Sequence, residues 1–269
     1  MKSNKKTHVP VAMSLSAALS KIRPHTSSTL AHQKAPANLL LAIEQTLTEQ
    51  NSEKNATAYF AALLTTLESS ARSNPTFGEG DVLPAIIYLL ALVTPFVSQA
   101  VIRSNLTAIM ALTGPLFSQL IPHAPPLRSQ LTLLSAVIQA VEPSQLDTPN
   151  VRTTFSLVLD LTVDPRPKVR RRAADLVREV LENPPTPLLR HPYNERVGEW
   201  VATTLAAVSS GATMFGRQKK AEGTTDAPEV GIHVIAMVKP IASLLPESVR
   251  CSEYRIYLYL LNVYSIFPL

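Results

Sequence analysis

The chain contains little cysteine, glycine and aromatic residue. Its 269 residues include one cysteine, Cys251, so an internal disulfide cannot form and a small disulfide-stapled domain is excluded. A single thiol suits a reducing compartment such as the cytosol or the nucleus. The 8 glycines and the 6% share of aromatic residues argue against sheets joined by tight turns. Abundant leucine and alanine instead predict a mostly helical protein.

Long hydrophobic runs are missing as well. The most apolar stretch, 82–97, is interrupted by Pro84 and Pro95, and it is shorter than the roughly 20 residues of a membrane-spanning helix. The apolar stretch at 256–269 is also too short. The amino terminus starts with basic residues, but serines break the apolar segment that follows, so we expect no signal peptide. These features predict that the protein has no membrane partner.

Motifs of catalysis and metal binding are also lacking. The sequence contains no G-x-x-x-x-G-K-[ST], G-x-S-x-G or H-E-x-x-H, and its G-x-G at 78–80 has neither a third glycine nor a preceding strand. The 6 histidines are scattered and show no zinc-ligand spacing. We therefore expect neither enzymatic activity nor a cofactor or metal.

The sequence has 22 prolines, and these divide it into helical segments. Proline is tolerated in the first turn of a helix, where its missing amide would be unpaired anyway. We predict helix starts at prolines 95, 126, 149, 167 and 192, and breaks at 114–115, 142–144 and 183–185. Apolar residues at three- and four-residue spacing predict helices at about 37–50, 56–69, 81–93, 95–113, 126–141, 149–163, 167–181, 192–209 and 229–245.

The predicted helix starts near Asp81, Pro126 and Pro167 recur every ~41 to 45 residues, which is the period of HEAT and armadillo repeats. This spacing predicts an all-α fold, an α-solenoid of stacked helical hairpins, with a closed helical bundle as the alternative. We divide the chain into a flexible basic tail at 1–10, a repeat array at 11–245 and an atypical carboxyl-terminal segment at 246–269. Low hydrophobicity predicts a mobile loop within the array at about 211–228.

A basic run marks the helix predicted at 167–181. Its cations are Arg166, Lys168, Arg170, Arg171 and Arg172. Their position at the amino end opposes the helix dipole, which favours anions there by about 0.3 to 1 kcal/mol. The run would suit a phosphate, and the net charge of +5 also makes nucleic acid a plausible partner.

A purely structural role for these cations is the alternative. Arg171 and Arg172 stand three or four residues before Asp175, and Arg178 stands four before Glu182, as on an ion-paired solvated helix face. The arginine after Val169 could also bridge neighbouring repeats. Asp164 is a candidate helix cap.

Two further groups of residues have competing interpretations. Arg217, Lys219 and Lys220 lie in the predicted loop and form a candidate nuclear-localisation signal, with simple loop solubility as the alternative. We interpret Tyr193 and Trp200 as packing residues rather than as a base-stacking platform.

Four segments carry a likeness to a known family. These are SKIRPHTSSTLAHQKAPANLLLAIEQTL at 20–47, TAYFAALLTTLE at 57–68, DPRPKVRRRAADLVREVL at 164–181 and HPYNERVGEWV at 191–201. Together they resemble the ribosomal RNA-processing protein 12 family of HEAT-repeat ribosome-assembly factors. The resemblance runs from about Met13 to about Ala242 and corresponds to the amino-terminal portion of longer family proteins. After about Ile241 the sequence departs from the expected next repeat.

The resemblance implies a nucleolar and nuclear factor that can shuttle to the cytoplasm. It implies a non-enzymatic scaffold for small-subunit ribosome biogenesis, acting in pre-rRNA processing and pre-ribosome export. Its expected partners are pre-ribosomal RNA, small-subunit assembly factors or ribosomal proteins, and nuclear transport factors. The alternative hypothesis is a karyopherin-like or signalling adaptor that binds only proteins, with the cations as bridges between repeats.

Overall fold

The computed structural model describes residues 14–73, 76–210 and 227–247, and these residues form helices without strands. The all-α fold class is therefore confirmed. The α-helices are α1 Leu15–Ser20, α2 Ala31–Glu49, α3 Ala56–Arg72, α4 Val82–Val93, α5 Gln99–Ser104, α6 Leu106–Leu120, α7 Ala124–Ala140, α8 Pro143–Leu146, α9 Pro149–Leu161, α10 Pro167–Glu182, α11 Tyr193–Ser210 and α12 Ala227–Val238. The 3₁₀ helices are Arg23–Ser27, Thr94–Phe96 and Lys239–Leu244.

The chain divides into two compact units, Met1–Ser98 and Gln99–Leu269. In the first unit, α2, α3 and α4 pack together and the 3₁₀ helix at Arg23–Ser27 lies against α2. The Asn55 side chain caps α3 by accepting a hydrogen bond from the Ala58 amide at 2.9 Å. The packed helices bury apolar side chains from each other's faces, among them Leu40, Leu47, Phe60, Leu63, Leu67, Ile86 and Leu90.

A polar network joins the start of the first unit to its core. The Arg23 guanidinium donates to Glu44 Oε1 from Nη2 at 2.7 Å, and the buried Tyr59 hydroxyl donates to the same oxygen at 2.9 Å. Burial raises the pKa of Tyr59 to about 12, and the hydrogen bond to Glu44 acts in the same direction. Arg23 belongs to the first of the family-like segments, so the structure gives that segment a role in linking α2 to α3.

The second unit is built from helical hairpins. The pairs are α6–α7, α9–α10 and α11–α12, and α5 packs on α6 and α7. The first helices of successive hairpins, α6, α9 and α11, form one layer. In this layer α6 contacts α9, and the ring centroids of Phe155 on α9 and Tyr193 on α11 lie 4.4 Å apart. Within the other layer α7 packs along α10, and the 3₁₀ helix at Lys239–Leu244 contacts α10.

Hydrogen bonds between hairpins repeat at a nearly constant sequence separation. Arg172 binds Thr132, Arg196 binds Ser156 and Trp200 binds Asp160, each across 40 residues. Arg166 binds the Ile121 carbonyl across 45 residues. This separation matches the predicted repeat period and shows that successive hairpins stack in register.

The structure corrects several predicted boundaries. The predicted break at 114–115 is wrong, because α6 continues through Gly114 and Pro115. Ile109, Met110, Leu116 and Phe117 are buried on both sides of the proline, and this packing outweighs the local cost of the missing amide. Pro95 starts no α-helix but lies in the 3₁₀ helix at Thr94–Phe96, so the helix predicted at 95–113 is divided between α5 and α6.

Three other helices begin at or directly after a proline, as predicted. Pro149 and Pro167 occupy the first helical positions of α9 and α10, and Pro192 directly precedes α11. At the carboxyl end, α12 begins at Ala227, inside the predicted loop, and gives way at Lys239 to a 3₁₀ helix that contains Pro240. The predicted tail at 1–10, the loop residues 211–226 and residues 248–269 lie outside the described residues.

Among the helices of the described residues, none combines the length and the apolar character that crossing a membrane requires.

Candidate phosphate-binding surface on α10

The helix α10 carries the basic run that sequence analysis singled out. Pro167 is its first residue, and Val169, Ala173, Leu176, Val177, Val180 and Leu181 form the buried stripe that the periodicity predicted. Because this stripe occupies the face towards α7 and α9, the charged residues are distributed over the remaining faces.

Asp164 organises the turn before α10. Its Oδ1 accepts a hydrogen bond from the Arg166 amide at 2.8 Å. Arg166 is the N-cap residue, so Asp164 does not cap the first-turn amides directly, contrary to the predicted cap. The carboxylate instead fixes the turn that leads into the helix.

Arg166 is a structural residue. Its guanidinium makes a bidentate pair with Asp164, with Nη2 to Oδ2 at 2.7 Å, and its Nη1 donates to the Ile121 carbonyl at 2.7 Å. The hydrogen bonds that Arg166 donates to Asp164 are the leading cause that raises the pKa of Arg166, while burial opposes this shift. Arg166 thereby ties the start of α10 to the end of α6.

Arg172 bridges α10 and α7. Its guanidinium binds both carboxylate oxygens of Glu179 at 2.9 and 3.2 Å, and its Nε donates to Thr132 Oγ1 at 3.0 Å. The Ser135 hydroxyl of α7 donates to the same carboxylate. Burial raises the pKa of Glu179, but the hydrogen bonds from Arg172 and Ser135 outweigh burial and leave the pKa lowered.

The pairs expected from helical spacing do not form. Asp175 pairs with Arg178 at 3.2 Å, three residues ahead, rather than with Arg171 or Arg172. Arg172 reaches seven residues along the helix to Glu179 because the α7 hydroxyls hold both groups in that position. The salt bridges described for α10 do not include one between Arg178 and Glu182.

Arg170 has a local role. Its Nη1 donates to the carbonyl oxygens of Asp164 and Pro165 at 2.7 and 3.3 Å. It follows Val169, the position suggested for a bridge between repeats, but Arg166 and Arg172 make the contacts to the preceding hairpin instead. Because carbonyl groups carry no net charge, the positive charge of Arg170 is not neutralised by these contacts.

Lys168 and Arg171 are the exposed cations of the run. Neither makes a hydrogen bond or an ion pair with another residue that the structure describes. Both lie in the first two turns of α10, whose amides receive no side-chain cap. The run therefore divides into three arginines held by intramolecular contacts and two cations available to a ligand.

Sequence analysis did not identify Arg178 or His233 as residues that could face a ligand. Both line a cleft between α10 and α12. Their sequence separation gave no signal, because only the packing of the α11–α12 hairpin on α10 brings them together. The candidate nuclear-localisation residues Arg217, Lys219 and Lys220 lie outside the described residues.

The packing role of Tyr193 is confirmed. Its side chain is buried, and its hydroxyl donates to the Leu146 carbonyl at 2.6 Å. The Trp200 indole donates to Asp160 at 3.0 Å and so joins α11 to α9. Both aromatic residues connect neighbouring helices of one layer.

Comparison with known proteins identifies the repeats. The family described as RRP12-like, N-terminal HEAT repeats, matches residues 18–264. The chain belongs to this family. The match confirms the predicted HEAT-type α-solenoid class, and it extends into the segment after residue 245 that sequence analysis set apart as atypical.

Relatives in this family are identical to the chain at about a quarter of the aligned positions. The Ribosomal RNA-processing protein 12 of Saccharomyces cerevisiae is 26% identical over 84% of this chain, and the RRP12-like protein of Homo sapiens is 25% identical over 87%. The RRP12-like protein of Gallus gallus is 28% identical over 84%. The chain spans 19%, 17% and 16% of the length of these relatives, respectively. The search of solved structures gave no match.

Proposed function

We propose that this RRP12-like chain acts in ribosomal RNA processing as a non-catalytic helical scaffold that contacts RNA through Lys168 and Arg171. Family membership supports the process, because the relatives are named for ribosomal RNA processing. The observation that carries the RNA contact is the exposure of two unpaired cations beside the uncapped first turn of a helix. The Val169 and Arg170 amides donate to the Arg166 carbonyl and Pro167 has no amide hydrogen, so Lys168 supplies the first-turn amide that can bind a phosphate beside the two cations.

The finer features of the proposed function concern location and partners. We place the protein in the nucleolus and the nucleus, in association with precursors of the small ribosomal subunit, and with export and shuttling as part of its role. Its partners would be pre-ribosomal RNA, small-subunit assembly factors or ribosomal proteins, and nuclear transport factors that recognise Arg217, Lys219 and Lys220. The stacked hairpins of the second unit support a scaffold, since such repeats offer long surfaces to several partners.

One observation favours the alternative of an adaptor that binds only proteins. Arg166, Arg170 and Arg172 satisfy their guanidinium groups within the chain, as an adaptor with structural arginines would. The two candidates differ in what they predict for Lys168 and Arg171. RNA binding requires both of these exposed cations, whereas an adaptor that binds only proteins has no need of Lys168.

The experiment is filter binding of the chain to a structured RNA over a series of salt concentrations. Neutralising both exposed cations, as K168Q with R171Q, should weaken binding and reduce the slope of log K against log salt by about 1.5 to 2, because two phosphate contacts are lost. The variant K34Q with R190Q is the matched control, since it removes the same charge from exposed residues that do not belong to α10. Equal slopes for the two variants would assign RNA binding elsewhere and leave the adaptor as the function of this surface.

A further inference from the structure

A cleft of about 300 Å³ lies between α10 and α12 in the second unit. This volume is at the small end of the range for ligand sites and suits one or two side chains rather than a large cofactor. The lining residues are Thr162, Pro167, Arg170, Arg171, Ala174, Asp175, Arg178, His233, Ala236, Met237 and Pro240.

The charge of the cleft is predominantly positive. Arg170, Arg171 and Arg178 contribute guanidinium groups, against the carboxylate of Asp175, which pairs with Arg178 at 3.2 Å. Arg170 is held in place by uncharged carbonyl groups, and Arg171 has no partner among the described residues. An anionic ligand would therefore meet two guanidinium groups whose charge no carboxylate of the described residues neutralises.

His233 adds a polar group without a partner. Its Nδ1 is buried and makes no hydrogen bond with the described residues. Burial lowers the pKa of His233, and the neighbouring Arg170 acts in the same direction. Arg170 and Arg171 are the cleft groups whose positive charge no carboxylate of the described residues neutralises.

Apart from Thr162, whose hydroxyl donates to the Leu159 carbonyl, the remainder of the lining is apolar, and the described lining contains no phenylalanine, tyrosine or tryptophan. Ala174, Ala236 and Met237 supply small or flexible apolar surface next to the arginines. RNA bases are commonly held by stacking on such aromatic rings, which this cleft lacks. An apolar surface bordered by arginines instead complements a peptide that carries an apolar side chain between carboxylates.

We propose that this cleft binds an acidic peptide segment of a partner protein. An apolar side chain of the peptide occupies the space beside Ala174, Ala236 and Met237. Flanking aspartate or glutamate residues pair with Arg170 and Arg171, the two cleft arginines that no carboxylate of the described residues neutralises. The proposal does not depend on the RNA contact, although Arg171 would take part in both.

The test is a fluorescence anisotropy titration of the chain with a labelled nonapeptide of aspartate and glutamate around a central leucine. Ala236 is exposed, so A236F should fill the cleft without disturbing the core, and it should weaken peptide binding about tenfold. R171Q should weaken binding up to about fivefold through the loss of one exposed ion pair with the peptide. D175N should strengthen binding about threefold, because it removes the repelling carboxylate.

Matched variants separate the cleft from general effects. A202F places the same ring on an exposed alanine of α11, and R190Q removes an exposed arginine outside the cleft, so both should bind the peptide as the unmodified chain does. A peptide with serine in place of leucine should bind about tenfold more weakly. Circular dichroism of each variant verifies that it is folded.

The results that would overturn the proposal are specific. Equal peptide affinity of A236F and A202F would show that the peptide does not use the cleft. Loss of RNA binding in A236F with retention of peptide binding would identify the occupant as RNA. The RNA proposal fails separately, through an unchanged salt slope of K168Q with R171Q, so the two failures can be told apart.

Discussion

Adjacent arginines of α10 have different roles because successive residues of an α-helix point about 100° apart. Arg171 is directed to solvent, whereas Arg172 reaches α7 and the carboxylate of Glu179. A single substitution in the run should therefore alter either ligand binding or stability, according to the face on which it lies. Glu179 is the acceptor that several of the structural contacts share.

Glu179 should contribute measurably to the stability of the second unit. E179Q removes the negative charge of the carboxylate that accepts hydrogen bonds from Arg172 and Ser135. The free energy of unfolding should therefore fall by about 1 kcal/mol at pH 7. The measurement is urea unfolding of E179Q beside E182Q, which changes an exposed glutamate of the same helix and should leave stability unchanged.

The same pair of variants predicts a pH dependence. The pKa of Glu179 is lowered in the folded chain, so its stabilisation is present above the ordinary glutamate range and is lost as the pH falls through the folded pKa. The stability difference between E179Q and the unmodified chain should therefore shrink when unfolding is measured at acidic pH. A difference that grows in acid would contradict the assigned ion pair.

At the scale of the element, α6 shows that packing can override a local breaker. Gly114 and Pro115 lie within its 15 residues, and the helix continues because buried residues on both sides hold it against its neighbours. Gly114 has open space where a Cβ would stand. It therefore contributes backbone freedom to the unfolded chain without a steric need in the folded one.

Replacing this glycine should stabilise the protein. G114A should raise the free energy of unfolding by up to about 0.5 kcal/mol, because alanine favours the helix and restricts the unfolded chain, while its Cβ next to the Pro115 ring offsets part of this gain. Thermal unfolding followed by circular dichroism at 222 nm checks this expectation.

A contrasting variant, G80A, tests the conformational argument. Gly80 has a φ of +93°, and a Cβ there would lie 3.0 Å from Ala31 Cβ. The substitution should destabilise the first unit by about 1 kcal/mol or more. Stabilisation by both substitutions would mean that residual structure in the unfolded chain, rather than native backbone conformation, controls the effect.

At the scale of the whole molecule, the chain has two compact units, each with buried apolar side chains of its own. Leu67 of the first unit and Leu176 of the second are both fully buried. Each unit therefore has a core that can be weakened separately. The regular spacing of contacts between hairpins in the second unit also makes most of its interactions local to neighbouring repeats.

Core truncation should consequently act within one unit. L67A should accelerate amide hydrogen exchange in α2, α3 and α4 more than in α7 and α10, and L176A should show the reverse, because each leaves a cavity worth about 2 to 5 kcal/mol. Hydrogen exchange with mass spectrometry of both variants measures this. Equal acceleration in both units for either variant would show that the chain unfolds as one cooperative body.

Much of the fold could be predicted from the sequence. The buried stripe of α10, from Val169 to Leu181, follows from helical periodicity, and the starts of α9 and α10 follow from prolines that fit a first helical turn. The spacing of the predicted helix starts at about 81, 126 and 167 also predicts stacked hairpins. The break predicted at 114–115 failed because the local preference of glycine and proline was weaker than the burial of the residues around them.

Only the tertiary structure decided what the individual cations do. The sequence by itself determined most of the helices, the buried stripe of α10 and the clustering of positive charge on one segment, because these depend on neighbours along the chain. The partners of Arg166 and Arg172 lie 40 or more residues away, and the α10–α12 cleft brings together residues of two hairpins. Such contacts depend on how helices pack, and that is settled by the summed burial of many side chains rather than by any local pattern.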